Sequence, residues 1–373
     1  NYYFLKISPG NGLRIQNQTS TTHDGGVVTT FDDFIRFERD TSNLLHEWVQ
    51  TQGSGRQWFG EYFKVQTSAD FSDKFQTANL LPNVPAKLNA VFAARIKSGS
   101  ARYSITANGT VFTSSNFTPT GGTATETYAS QQSLSGEFTP NSDQFQIQLD
   151  FTKPDDIFNE GWLDFIQINF RRQLLMAGDQ LIFRDLQTVG QEAAQFRLGN
   201  ASGEIAIWDI SEPLLPKRQE ASLGGSELTF ATPTGTLKEF IAFNTSGNFL
   251  TPEAVGKIEN QNVHATTDVD VVIVYPKDFK TEAERLAEHR SEHSNLTVAL
   301  VEVGEIFNEF ASGRTEATAI RDFAKMVYDR NPERFRSLVL FGDGSFDHRD
   351  VYGLGGNFVP VYETAQSLNP ISA

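Results

Sequence analysis

Residues 342–350 read Gly-Asp-Gly-Ser-Phe-Asp-His-Arg-Asp and crowd three carboxylates, a hydroxyl and an imidazole into one short stretch. The carboxylates of Asp343, Asp347 and Asp350, with the Ser345 hydroxyl, are hard oxygen donors of the kind that hold calcium. The same groups can shape a pocket for a basic or polar substrate group. Gly342 and Gly344 let the backbone turn sharply between them. The ordinary alternative is a turn in which Asp and Ser side chains accept backbone N–H bonds. The residues taken forward as a candidate active-site-proximal loop are Gly342, Asp343, Gly344, Ser345, Asp347 and His348, with no metal assigned.

Two further groupings are weaker. His289-Arg290-Ser291-Glu292-His293 has the H-x-x-E-H spacing that sets two imidazoles one helical turn apart beside a general base. It falls on a short, highly charged helix that covers a sheet, which places the pair on a solvated face. Ser345 follows a strand as a hydrolase nucleophile would, but Gly-Asp-Gly-Ser-Phe is not the G-x-S-x-G arrangement and no helix pattern follows directly. His348 lies too near in sequence to be its usual partner. The chain has no cysteine, so it contains no thiolate nucleophile, disulfide or thiolate metal site.

The elements that would position the 342–350 segment are legible behind it. Phe335–Phe341 is an apolar strand pattern that ends where the segment begins. Upstream, Val269–Tyr275 and Leu296–Val303 are near-continuous apolar, β-branched runs, as in strands buried on both faces. Lys280–His293 and Thr315–Asp329 have helical composition and spacing, and Thr315 is placed to cap the second. Strand–helix–strand–helix–strand predicts right-handed crossovers and a parallel sheet, whose carboxyl ends are where ligands bind. A sheet that ends on this strand has an open edge, and the loop 343–350 is expected to be poorly ordered or displaced.

Before about residue 260 the pattern is β. Phe145, Ile147, Leu149 and Phe151 alternate with polar residues, as do Tyr103, Ile105 and Ala107, and Ile166, Ile168 and Phe170. Turn signals such as Asn108-Gly109, Gly178-Asp179 and Gly224-Gly225 separate the runs. The Thr/Ser/Gly-rich stretch Thr113–Gly136 reads as a long loop. The four tryptophans all lie in this half and read as core residues in preference to sugar-stacking platforms. The predicted organisation is residues 1–260 as a β-rich region of one or two β-sandwiches, then 261–373 as the first part of an α/β domain.

Composition limits the rest. A length of 373 residues suggests two or three domains. Lys and Arg number 31 against 46 Asp and Glu, and the net charge of −15 disfavours a nucleic-acid partner. No apolar run reaches the length of a membrane-spanning helix. The start, Asn-Tyr-Tyr-Phe-Leu-Lys, lacks signal-peptide character, and both ends read as those of a fragment.

From about residue 30 to the last residue the chain resembles the gingipain-type cysteine peptidases, in particular the surface sortases of the type IX secretion system. The resemblance is carried by 162–172 (WLDFIQINFRR), 183–185 (FRD), 207–210 (IWDI), 260–264 (NQNVH), 268–274 (DVDVVIV), 305–314 (EIFNEFASGR), 319–321 (AIR), 338–347 (LVLFGDGSFD) and 357–362 (NFVPVY). It implies a β-rich front region followed by a caspase-like peptidase domain, here incomplete. The family's nucleophilic Cys and the His of its Gly-His-Gly segment are absent from these residues and are expected beyond Ala373, so that this chain alone is inactive. For the intact protein the resemblance implies removal of C-terminal secretion signals from cargo proteins and attachment of the cargo to surface lipopolysaccharide. It further implies no cofactor, the outer-membrane barrel protein PorV as partner, and a location on the bacterial surface. The competing reading is a surface adhesin or binding module whose α/β part is a non-catalytic scaffold.

Overall fold

The structure is a computed structural model that describes residues 2–7, 10–22, 25–44, 48–49, 57–120, 127–353, 355 and 357–362. The chain forms two compact units, one of residues 11–52 and 58–252, the other of 1–10, 53–57 and 253–373.

The first unit is built on one long mixed sheet. Its main strands are β1 (Thr30–Glu38), β2 (Ala86–Arg95), β3 (Thr127–Phe138), β4 (Glu160–Gln173), β5 (Gln180–Arg184), β6 (Ile205–Asp209) and β7 (Glu239–Asn244), in the spatial order β6-β7-β5-β1-β4-β2-β3. Two four-stranded sheets pack on it. One contains Arg102–Ala107 paired with Ile147–Thr152, and the other Gln191–Leu198 paired with Glu227–Thr234. The alternation expected from sequence is realised in the first, where Tyr103, Ile105, Ile147, Leu149 and Phe151 all face a core shared with Phe92, Ile166, Ile168 and Phe170. A second core gathers Phe183, Phe196, Phe230 and Phe240. Strand β1 serves both, contributing Phe31 to the second and Ile35 and Phe37 to the first. Gly161 is required on β4, because a Cβ there would collide with the Tyr103 hydroxyl.

One expectation fails here. Residues 113–136 are not a long loop: Thr110–Thr113 and β3 are strands, and β3 pairs with β2 from Ser130 to Phe138. Residues 121–126 lie outside the described residues. Serine, threonine and glutamine fit a strand whose buried hydrophobic side chains among the described residues are Ala129, Leu134 and Phe138.

The second unit holds a three-stranded parallel sheet. Its elements run β8 (Val271–Tyr275), α1 (Lys280–Ser294), β9 (Val298–Glu302), α2 (Val303–Phe310), α3 (Ala317–Arg330) and β10 (Ser337–Leu340). The order β9-β8-β10 puts β8 in the centre, and all five of its residues are buried. Helix α1 lies close to the sheet because its buried positions, Ala283 and Ala287, are small, and it ends on Asn295 in the left-handed conformation. Helix α3 buries Ala319, Ile320, Phe323 and Val327 at helical spacing. It starts after Glu316, with no side-chain cap, so Thr315 does not cap it. Helix α2 was not expected; Val303, Ile306 and Phe307 form its buried face. A β-rich region followed by an α/β domain with a parallel sheet is thus the fold class observed.

Candidate functional site

The carboxyl ends of β8, β9 and β10 open onto Pro276, the start of α2 and the segment 341–353. Parallel pairing sets Tyr275 at the end of β8 beside Glu302 at the end of β9. The segment after β10 folds back over β8: Phe341 and Phe358 both pack against Phe279.

The 342–350 segment is packed, not displaced as expected. The Asp343 carbonyl accepts from Phe358 N and Val359 N at 3.1 Å each. Asn357 Oδ1 accepts from Ser345 N at 2.5 Å, and Asn357 Nδ2 donates to the Asp347 carbonyl at 2.9 Å. A Cβ on Gly344 would collide with the Val359 carbonyl oxygen, so the close approach of 357–361 requires glycine there. The segment therefore gets from 357–361 the backbone partners that a neighbouring strand would otherwise supply.

Its side chains divide into two sets. Asp347 is buried, and its carboxylate accepts from Val351 N at 2.9 Å and Tyr352 N at 2.8 Å. Burial alone would raise this carboxyl, but the N–H groups of Tyr352, Val351 and Arg349 outweigh it and hold the group below its ordinary range. Asp350 accepts from Gly355 N at 2.9 Å. Both carboxylates thus stabilise turns. Asp343 instead leaves its side chain exposed. Ser345 Oγ accepts from Asp347 N at 3.1 Å and makes no hydrogen bond to His348. Among the described residues no three His, Cys, Asp or Glu side chains converge as a metal site.

The H-x-x-E-H pair, His289 and His293, lies on the exposed face of α1 with ring centroids 4.5 Å apart. Trp162 is a core residue, and Trp208 is half-buried against Phe243. Of Trp48 only the backbone strand is described.

Two features of the second unit were not anticipated. The first is an acidic rim. Burial pushes the Tyr275 phenol up, and the charges of Glu302, Glu305 and Glu284 add to it. Burial, then Glu302 and Glu309, push the Glu305 carboxyl up. Neither Glu302 nor Glu305 is ion-paired with a described residue. Glu302, Glu305 and Glu309 are three and four residues apart on one segment, a spacing that was not read as a cluster, and the parallel register adds Tyr275 to them. The second is a clamp on α2, where Glu309 accepts from Gln261 Nε2 at 2.9 Å, Val263 N at 2.7 Å, His264 N at 3.0 Å and the His264 ring. It fixes the entry to β8. His264 stacks on Phe310 with centroids 4.5 Å apart, and its carbonyl accepts from Arg330.

Residues 264–371, which hold the parallel sheet and the packed loop at its carboxyl ends, match Peptidase family C25. The chain is PorU-like: it is similar to dimeric latent PorU from Porphyromonas gingivalis at 25% identity and a TM-score of 0.76, over 91% of this chain and 32% of that one. It thus spans about a third of the PorU chain. The C-terminal domain of EclA, described as a sugar-binding protein, overlaps 39% of this chain and 84% of its own at 14% identity; its TM-score of 0.20 carries no argument. No curated protein sequence matches the chain.

Proposed function

We propose that these residues are the leading part of a gingipain-type cysteine peptidase that acts as a sortase on the bacterial surface. The observation that supports it best is the similarity to latent PorU through both units, joined to the C25 match over the parallel sheet. On this reading the nucleophilic Cys and its His partner come from segments outside these 373 residues, which hold no cysteine. The thiolate attacks the scissile carbonyl and expels the amine of the cargo's C-terminal signal, leaving a thioester. Water releases the cargo, or an amine of surface lipopolysaccharide takes the acyl group and anchors it. The 342–348 loop and the acidic rim border the cleft where the cargo chain lies, and PorV holds the enzyme at the outer membrane.

The test uses the full-length gene product with its cysteine replaced by alanine and follows removal of a C-terminal signal from a cargo protein. The expected loss is roughly a thousandfold or more. The 373-residue chain alone is expected to show no thiol-dependent cleavage. Signal removal that survives the cysteine replacement refutes the reading.

A further inference from the structure

Helix α1 carries two imidazoles that the packing of the second unit does not use. His289 and His293 are exposed, and neither ring is hydrogen-bonded or ion-paired with a described residue. They lie one helical turn apart, on the face opposite Ala283 and Ala287, the buried residues that seat the helix on the sheet. The helix backbone therefore fixes the spacing of the two side chains, and only their torsions remain to be set when a ligand binds.

The separation of the rings suits one shared ion. When two imidazoles bind a metal in adjacent positions, each nitrogen about 2 Å from it, their ring centroids come about 4.5–5 Å apart. The two rings stand 4.5 Å apart and are tilted by 47°, so they are not a parallel stack. His293 lies in the last turn of α1, where the carbonyl end of the helix dipole favours a cation. The neighbouring charges cancel, Glu288 and Glu292 against Arg285 and Arg290. Selection therefore rests on the nitrogen donors and not on net charge. Among the described residues no third His, Cys, Asp or Glu converges on the pair, which leaves the other coordination positions to water. Imidazole donors suit nickel, copper and zinc, whereas magnesium and calcium take oxygen ligands.

We infer that His289 and His293 form a surface chelate for a divalent transition metal ion of the nickel, copper and zinc class. The bound ion staples the last turn of α1. Such a site stands whether or not the peptidase reading holds, and both rings face solvent, so no reaction step is attached to it.

The experiment is calorimetric titration of the 373-residue chain with Ni2+ and with Zn2+, with Mg2+ as the control ion. Ni2+ and Zn2+ are expected to bind through the pair, and Mg2+ is not. H289A and H293A should each weaken Ni2+ binding about tenfold or more. Ni2+ should also raise the urea midpoint read by helical circular dichroism in the native chain and in neither variant. Because both altered side chains are exposed, an unchanged circular dichroism spectrum verifies the fold of each variant. Absence of Ni2+ binding, binding unchanged in either variant, or a midpoint that Ni2+ raises equally in all three proteins overturns the inference.

Discussion

Replacing Glu309 by glutamine tests how the second unit is held at its entry. In the native protein this carboxylate, 16% exposed, takes four hydrogen bonds from residues 261–264. Burial alone would raise the group, yet the bonds from Gln261, Val263 and His264 bring it down from 4.5 to about 2. That difference corresponds to roughly 3 kcal/mol of native-state stability, and solvent reaching the carboxylate reduces it to about 2 kcal/mol. Because the folded value lies below the unfolded one, the contribution is complete above pH 4.5 and disappears as pH falls toward 2. Glutamine keeps one acceptor oxygen but turns an NH2 toward N–H donors, so the variant loses about 2 kcal/mol at pH 7. The two units can be followed separately. All described α-helices lie in the second unit, and every tryptophan lies in the first. Urea unfolding read by helical circular dichroism should therefore show the loss, and tryptophan fluorescence should not. The gap between native protein and E309Q should narrow to well under 1 kcal/mol near pH 2.5. An equal gap at both pH values, or none at pH 7, refutes the clamp.

Two other outcomes follow from packing. Gly344→Ala should destabilise the second unit by about 2 kcal/mol or more, since its Cβ and the Val359 carbonyl cannot share the space; urea unfolding by circular dichroism measures this, and an unchanged midpoint counts against the packed loop. Residues 248–260 carry no regular secondary structure and are exposed throughout. Brief trypsin treatment should accordingly cut early after Lys257 and, besides trimming at the exposed Lys6 and Arg14, yield two large fragments by mass spectrometry; an early cut inside a described strand or helix, with Lys257 spared, contradicts the exposed segment.

Much of the strand content was readable because one face of each strand meets a core. Tyr103, Ile105 and Ala107 alternate with polar neighbours for that reason, and Val271–Tyr275 is apolar throughout because both its faces are covered. Pairing partners were not readable. Strand β1 lies between β4 and β5, more than a hundred residues away, and nothing local in Thr30–Glu38 names those neighbours. Helix α2 was missed because its eight residues adjoin an apolar strand that reads on into Val303. At the loop, the need for glycine at 344 was visible, but the group that imposes it, the Val359 carbonyl, comes from a later turn. The acidic residues at 347 and 350 were assigned potential as ligands, whereas the backbone N–H groups of 351, 352 and 355 occupy them.

The long sheet that backs both aromatic cores has a bearing on how such a chain can diversify. Phe31, Ile35 and Phe37 sit on one nine-residue strand yet belong to two different cores. No crossover point between residues 30 and 244 can therefore transplant one core without stripping the other of its wall. Exchange by recombination is expected to succeed only for the whole unit, and length changes to be borne best in the turns of the two outer sheets. The hairpin of Arg102–Ala107 and Thr110–Thr113, joined through Asn108-Gly109, is such a place, where a length change alters the surface and leaves the wall intact.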